Sequence, residues 1–244
     1  MKKIYDKDEV NFSLIWIGIY VVLFSVAENL SASIGIEKVI TAPFSVALTI
    51  IMFAWIKKYN LEEKHGLCKY CGTAKQYLYF IPLAMLATTN LWRGVKLNFS
   101  IMETILFVIS MMCVGFLEEM IFRGFLFTAM RKSNLKVAIL VSSLTFGAGH
   151  IVNLLNGREV FETLCQVCYA VAIGFAFSIL FYKGKSIWPC IITHSVINSL
   201  SGVANRDAEN FTIKIAASVF LCVVSLAYGW YLIKSVKKCD DAEN

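Results

Sequence analysis

Phe116-Leu117-Glu118-Glu119-Met120-Ile121-Phe122-Arg123 sets three charges inside an apolar run that reads from Ile101 to Met130. An ionisable side chain at bilayer depth costs roughly 2.5 to 3.5 kcal/mol even on lenient insertion scales, so such charges must be paired or face a wet cavity. Helical spacing sorts them. Glu119 and Arg123 stand at i and i+4 with the acid on the N-terminal side, the favourable order for an ion pair. Glu118 points about 100° away from Glu119 and has no such partner, which makes it the free carboxylate.

Outward from this stretch the chain stays apolar: of its 244 residues 58% are hydrophobic and 16% charged, and mean hydropathy is +0.66. That is too apolar for an ordinary soluble domain. A span needs about 20 apolar residues, and the expectation is an all-α polytopic integral membrane protein with about eight transmembrane helices. They lie near 12–30, 38–56, 77–92, 101–130, 136–153, 161–182, 187–202 and 211–233. The fourth is about 45 Å long at 1.5 Å per residue, so it tilts or protrudes. No internal repeat or linker divides the chain, so 1–234 reads as one transmembrane domain and 235–244 as a cytoplasmic tail. Met1-Lys2-Lys3 followed by an apolar run imitates a secretory signal, but the run has span length and Glu28 sits just before the small-x-small site Ser31-Ala32-Ser33, so it reads as retained.

Lysine and arginine set the expected orientation. With an even number of spans both termini share a side, and sixteen basic residues fall in the connectors and tails of that side against five (Lys38, Arg93, Lys96, Arg158, Arg206) on the other. The positive-inside rule then places both termini in the cytoplasm, with the plasma membrane as the expected location. The +6 net charge follows from this bias and gives no support to a nucleic-acid partner. Cys113, Cys165, Cys168, Cys190 and Cys222 lie in spans and read as small apolar packing residues. Cys68-Lys69-Tyr70-Cys71 is a lone CxxC near His65; a metal knuckle or redox pair is weaker than the reading as a bare cytoplasmic loop.

Two further spans carry polar groups that are costly in lipid: His150 in Phe146-Gly147-Ala148-Gly149-His150, and His194 with Asn198 in His194-Ser195-Val196-Ile197-Asn198. Each alone is as well explained by packing. Together with Glu118 they satisfy one another only by converging. Counted from the lysine-rich ends, Glu118 lies about 19 Å deep, His150 about 21 Å and His194 about 12 Å, with Asn198 one turn beyond on the same face. Gly147 and Gly149 would let another helix or a substrate approach, and Ser186-Ile187-Trp188-Pro189 looks like the N-cap and first turn that set the height of His194. A carboxylate with two imidazoles and an amide suits hydrolysis by activated water, with Glu118 as base and the others moving protons or holding an oxyanion. Glu118, His150 and His194 equally form a zinc set with an open position, so a metal is the alternative.

EEMIFR, FGAGH and HSVIN fit, in order and on successive spans, the EExxxR, FxxxH and HxxxN motifs of the CPBP (Abi) family of membrane proteases, which includes the type II CAAX-prenyl endopeptidases and bacteriocin-processing or bacteriocin-immunity proteins. The resemblance covers about 101–202. It implies an eight-helix intramembrane peptidase with its catalytic core in helices 4, 5 and 7. Carried over by position, Glu118 is the water-activating base and His150 its partner. His194 and Asn198 are the oxyanion or metal-binding pair, and Glu119, Arg123 and Phe146 the remaining motif residues. The implied partner is a membrane-associated peptide, prenyl-CAAX-like or a bacteriocin or leader peptide. The competing readings are a non-catalytic immunity or scaffold protein, which has no reason to keep four costly polar groups, and a proton-relay transporter, which predicts inverted repeats absent from this chain.

Overall fold

A computed structural model describes residues 1–72, 80–154, 156–208 and 210–237. It is built of helices: α1 (Lys2–Lys7), α2 (Glu9–Ile34), α3 (Thr41–Lys58), α4 (Ile81–Ala87), a 3-10 turn (Thr89–Arg93), α5 (Ile101–Glu119), a π-helical segment (Met120–Phe127), α6 (Thr128–Met130), α7 (Leu135–Gly149), a second 3-10 turn (His150–Leu154), α8 (Val160–Gly184), α9 (Trp188–Ser201) and α10 (Phe211–Ser235). Among the described residues there is no strand, only an isolated bridge between Val95 and Ala204. Four of the long helices, α2, α5, α7 and α10, start where the sequence offers a side-chain cap. Asp8 accepts from the amides of Val10 and Asn11, Asn134 from Val137 and Asn210 from Ile213, while Ser100 and Glu103 close a reciprocal capping box.

Six helices among the described residues are long and apolar enough to cross a membrane: Glu9–Ile34, Thr41–Lys58, Ile101–Met130, Leu135–Leu154, Val160–Gly184 and Phe211–Ser235. The protein is thus an all-α polytopic membrane protein. The two remaining expected spans are not among these six. The 14 residues of α9 reach about 21 Å against a hydrocarbon core of about 30 Å. The expected third span is a seven-residue helix and a 3-10 turn, its start falling at residues 77–79, outside the described residues. The tail expected at 235–244 likewise lies outside them from residue 238 onward, while Ser235 completes α10.

Burial ranks the helices. Of the most apolar windows in Ile101–Met130 and Val160–Gly184, 56% is inside the protein, against 17% for Phe211–Ser235, so the α5–α6 unit and α8 are the axis and α10 is largely peripheral. The α8 helix lies between α7 and α10, α5 between α9 and α3, and the π segment packs on α2 and α7. Connections gather at two ends. At one, Lys64 and Lys132 both reach Glu9 and the Ser186 hydroxyl donates to the Cys68 carbonyl. At the other, Asn98 donates to the carbonyls of Gly202 and Ala204, and Lys38 pairs with Glu28.

The loop bearing the CxxC is more tied down than expected. Cys68 is a free thiol raised by burial above its usual range, and Cys71 is disulfide-bonded, so the two do not pair with each other. Ser186 is not itself the N-cap of α9. Ile187 holds that position, and the Ser186 hydroxyl accepts from the Trp188 amide at 3.4 Å.

Candidate active site

The expected ion pair is present and carries a third member. Arg123 Nη1 donates to Glu119 Oε1 at 3.2 Å, and both side chains are fully buried. The same oxygen lies 2.9 Å from His194 Nδ1. A carboxylate paired with arginine only accepts, so Nδ1 carries the proton and Nε2 is left to face the site. Burying the guanidinium is made tolerable by aromatic faces: its carbon is 4.1 Å from the Phe146 ring centroid and 5.8 Å from that of Phe177. Gly174 clears the space, since a Cβ there would stand 2.8 Å from Arg123 Nη2.

Glu118 is not the unpartnered carboxylate that helical spacing suggested. The Tyr20 hydroxyl, from the middle of α2, donates to Glu118 Oε1 at 2.7 Å, and Oε2 lies 3.7 Å from His194 Nε2. Both acids of the motif are therefore held from behind by a residue of another element. Spacing along one helix could not reveal this, because Tyr20 is 98 residues away and sits in a plain apolar run.

Phe146 joins the two histidines. Its ring meets His150 edge-on at 5.5 Å and His194 at 5.6 Å between centroids, while Arg123 covers it. The i, i+4 spacing of Phe146 and His150 is what puts both on one side of α7. His150 is the residue at which α7 gives way to a 3-10 turn. Gly147 allows a close crossing with α8, where a Cβ would stand 2.9 Å from the Val167 carbonyl oxygen, whereas Gly149 has no neighbour nearer than 4.0 Å. The expected approach thus holds at the first glycine only.

Two local devices fix the geometry. Gly115 meets Ser195 backbone to backbone: a Cβ there would be 2.8 Å from the Ser195 nitrogen and 2.9 Å from its Cα. The Ser195 hydroxyl donates to the Met112 carbonyl at 3.2 Å. This contact sets His194 opposite Glu118 and Glu119, one turn further along α5. The second device is the π segment, whose wider turn appears mostly at functional sites. Three successive carbonyls in it accept from side chains: Phe122 from Ser142 at 2.9 Å, Arg123 from Thr128 at 3.2 Å, and Gly124 from His65 Nδ1 at 2.7 Å. His65 Nε2 in turn accepts from the Tyr5 hydroxyl at 2.9 Å, so a loop histidine and α1 brace the turn that carries Arg123. Neither role has a local signature along the chain.

A cavity of about 490 Å³ opens beside this cluster. His150, His194, Asn198 and Phe146 line it, together with Cys165, Tyr169 and a group of basic residues from the second set of connectors. Glu118 is not on its wall but stands next to His194. The structure therefore gathers His150, His194 and Asn198 on one surface and places Glu118 against His194. Among the described residues no three His, Cys, Asp or Glu side chains are grouped so as to hold a metal ion.

These features define a polytopic helical membrane protein with a buried carboxylate–imidazole cluster at a polar cavity. Residues 100–200 match the family described as type II CAAX prenyl endopeptidase Rce1-like, so the resemblance carried by EEMIFR, FGAGH and HSVIN is shown over that stretch. The putative membrane peptidase YdiL of Bacillus subtilis (strain 168) is 31% identical over 96 residues, which is 39% of this chain and 35% of that protein. The match thus spans about a third of the relative's length. No solved structure matches the chain.

Proposed function

We propose that this protein is an intramembrane endopeptidase that hydrolyses a peptide bond of a membrane-associated substrate with water activated by Glu118. One observation carries the reading: Glu118 Oε2 and His194 Nε2 face each other at 3.7 Å, and each ring or carboxylate is held from behind, by Tyr20 and by Glu119. The gap is too long for a direct hydrogen bond and suits a bridging water. Glu118 takes a proton as the water oxygen attacks the carbonyl carbon. The Asn198 amide steadies the oxyanion, and the proton passes to the leaving amine through Glu118 or an imidazole as the C–N bond breaks.

We favour the metal-free form of this chemistry. Its support is the donor set: His194 Nδ1 is engaged by Glu119, Glu118 Oε1 by Tyr20, and Asn198 is a poor zinc ligand but a good oxyanion donor. Stoichiometric zinc in purified protein, lost with activity on chelation and restored with it, would overturn this choice. The lysine bias supports cytoplasmic termini in the plasma membrane. A disulfide at Cys71, on the lysine-rich end, is unusual for a reducing compartment, but sixteen charges against five is the weightier argument.

The test compares membrane peptidomes of cells carrying wild-type and Glu118→Gln protein. The variant keeps shape and loses the base, so uncleaved substrate accumulates while the protein level is unchanged. Full activity of that variant sinks the assignment. Glu119→Gln instead lowers both stability and activity, because it strands a buried Arg123 at a penalty of about 3 to 5 kcal/mol.

A further inference from the structure

The charges at the cavity end of the molecule are sorted. Among the described residues that end carries six basic residues (Lys38, Arg93, Lys96, Arg158, Arg206, Lys214) and six acidic ones (Glu28, Glu37, Glu103, Glu159, Glu162, Asp207) in its connectors and adjoining helix ends, a net charge of zero. Four of the six basic residues, Arg93, Arg158, Arg206 and Lys214, line the cavity, and only one of the six acids, Glu162, does so. The cavity wall is thus +3, and the rest of the same end −3. A solvated surface that merely keeps the protein soluble has no cause to separate its charges in this way.

Pairing separates them further. Lys38 is bound by Glu28 and Glu37, Lys96 by Asp207, and Lys214 by Glu162. Arg158 and Arg206 form no ion pair with any described residue, and the Arg206 guanidinium lies over the Phe99 ring, 4.7 Å from its centroid. Stacking of this kind fixes the plane of a guanidinium and leaves its N–H edge free for a planar, two-pronged acceptor. The Arg158 amide is tied to the Asn153 carbonyl at 3.0 Å, which holds its turn in place. At about 490 Å³ the cavity falls within the range of sites for small ligands and short peptide segments.

We infer that the cavity selects a peptide segment bearing a carboxylate, a chain terminus or an acidic side chain, which sits on Arg158 and Arg206 while the neighbouring peptide bond lies against His150, His194 and Asn198. The inference rests on the endopeptidase reading for the placement of the scissile bond, but the recognition itself is a binding property and is measurable without turnover.

Full-length Glu118→Gln protein in detergent micelles is titrated against fluorescein-labelled Leu/Ala decapeptides in three forms: a free C-terminal carboxylate, a C-terminal amide, and a C-terminal amide with one internal glutamate. At least one carboxylate-bearing form binds about tenfold or more tighter than the neutral amide, and which of the two does so identifies terminus or side chain as the source. Arg158→Gln with Arg206→Gln abolishes that ratio and leaves affinity for the neutral amide unchanged, which also reports that the variant is folded. Equal affinity for all three peptides, or a ratio that survives the double substitution, overturns the inference. So does tight binding of short-chain phosphatidylglycerol, lost in the double variant, with no discrimination among the peptides, since the occupant would then be a lipid phosphate. Carboxylate preference in a wild-type protein that cleaves nothing would leave this inference standing and remove the endopeptidase reading; cleavage without preference would do the reverse.

Discussion

At the scale of residues, Oε1 of Glu119 sits between Arg123 Nη1 and His194 Nδ1, so one atom both neutralises a buried cation and fixes the tautomer of an imidazole. The pairing with arginine was readable, because i, i+4 charges in an apolar helix have few alternatives. The bond to His194 was not, since it joins α5 to a helix 75 residues on. Tyr20 stands in the same relation to Glu118. A charge-assisted hydrogen bond of this kind is worth about 1.5 to 3 kcal/mol, so Tyr20→Phe should lower kcat about 10- to 100-fold with the fold intact. Turnover measured beside a thermal melt checks this; unchanged kcat would mean that the hydroxyl does not orient the base.

Among elements, the decisive joints are α5 with α9 and the π segment with its braces. At Gly115 an added methyl would meet the nitrogen and Cα of Ser195 at 2.8 and 2.9 Å, atoms that cannot swing aside. Gly115→Ala should therefore push α9 outward, lose about 1 to 3 kcal/mol and abolish the proposed peptidase activity by separating His194 from Glu119. Adding Ser195→Gly removes the hydroxyl and leaves the backbone clash, so the double variant should remain inactive, as a melt and a turnover assay would report. His65 makes the second joint sensitive to pH. It is 1% exposed, and burial pushes its imidazole down to about 4, with the Gly124 carbonyl and Glu9 opposing the effect and Lys64 and Lys132 adding to it. The unfolded chain therefore binds a proton near pH 6.5 that the folded protein refuses until about 4, and stability falls as pH drops through that window by about 3 kcal/mol. Unfolding midpoints between pH 7 and 4 should show this loss in wild-type protein and a flatter dependence in His65→Gln. The sequence marked His65 only as a loop residue beside a CxxC, because its partners are a tyrosine 60 positions earlier and a carbonyl 59 positions later.

For the molecule as a whole, hydropathy and motif order were enough to give a helical membrane protein and the spans that bear the motifs. Two things escaped them. The third expected span is interrupted at the Thr88-Thr89-Asn90 turn, whereas α9 keeps its expected bounds to within a residue and is short because α5 shelters it, so it need not match the bilayer. The π segment escaped because Met120 to Phe127 has no local signature; the wider turn survives on hydrogen bonds from α7, α6 and a loop. The position of the cavity has a topological consequence. Its basic rim belongs to the end opposite the chain termini, while Phe146 and Phe177 form its inner wall and are 4% and 0% exposed. Water and any solute reaching His150 and His194 through this cavity enter past the basic rim, so the site exchanges with one compartment alone. On the orientation proposed above, that compartment is the one across the membrane from the cytoplasm.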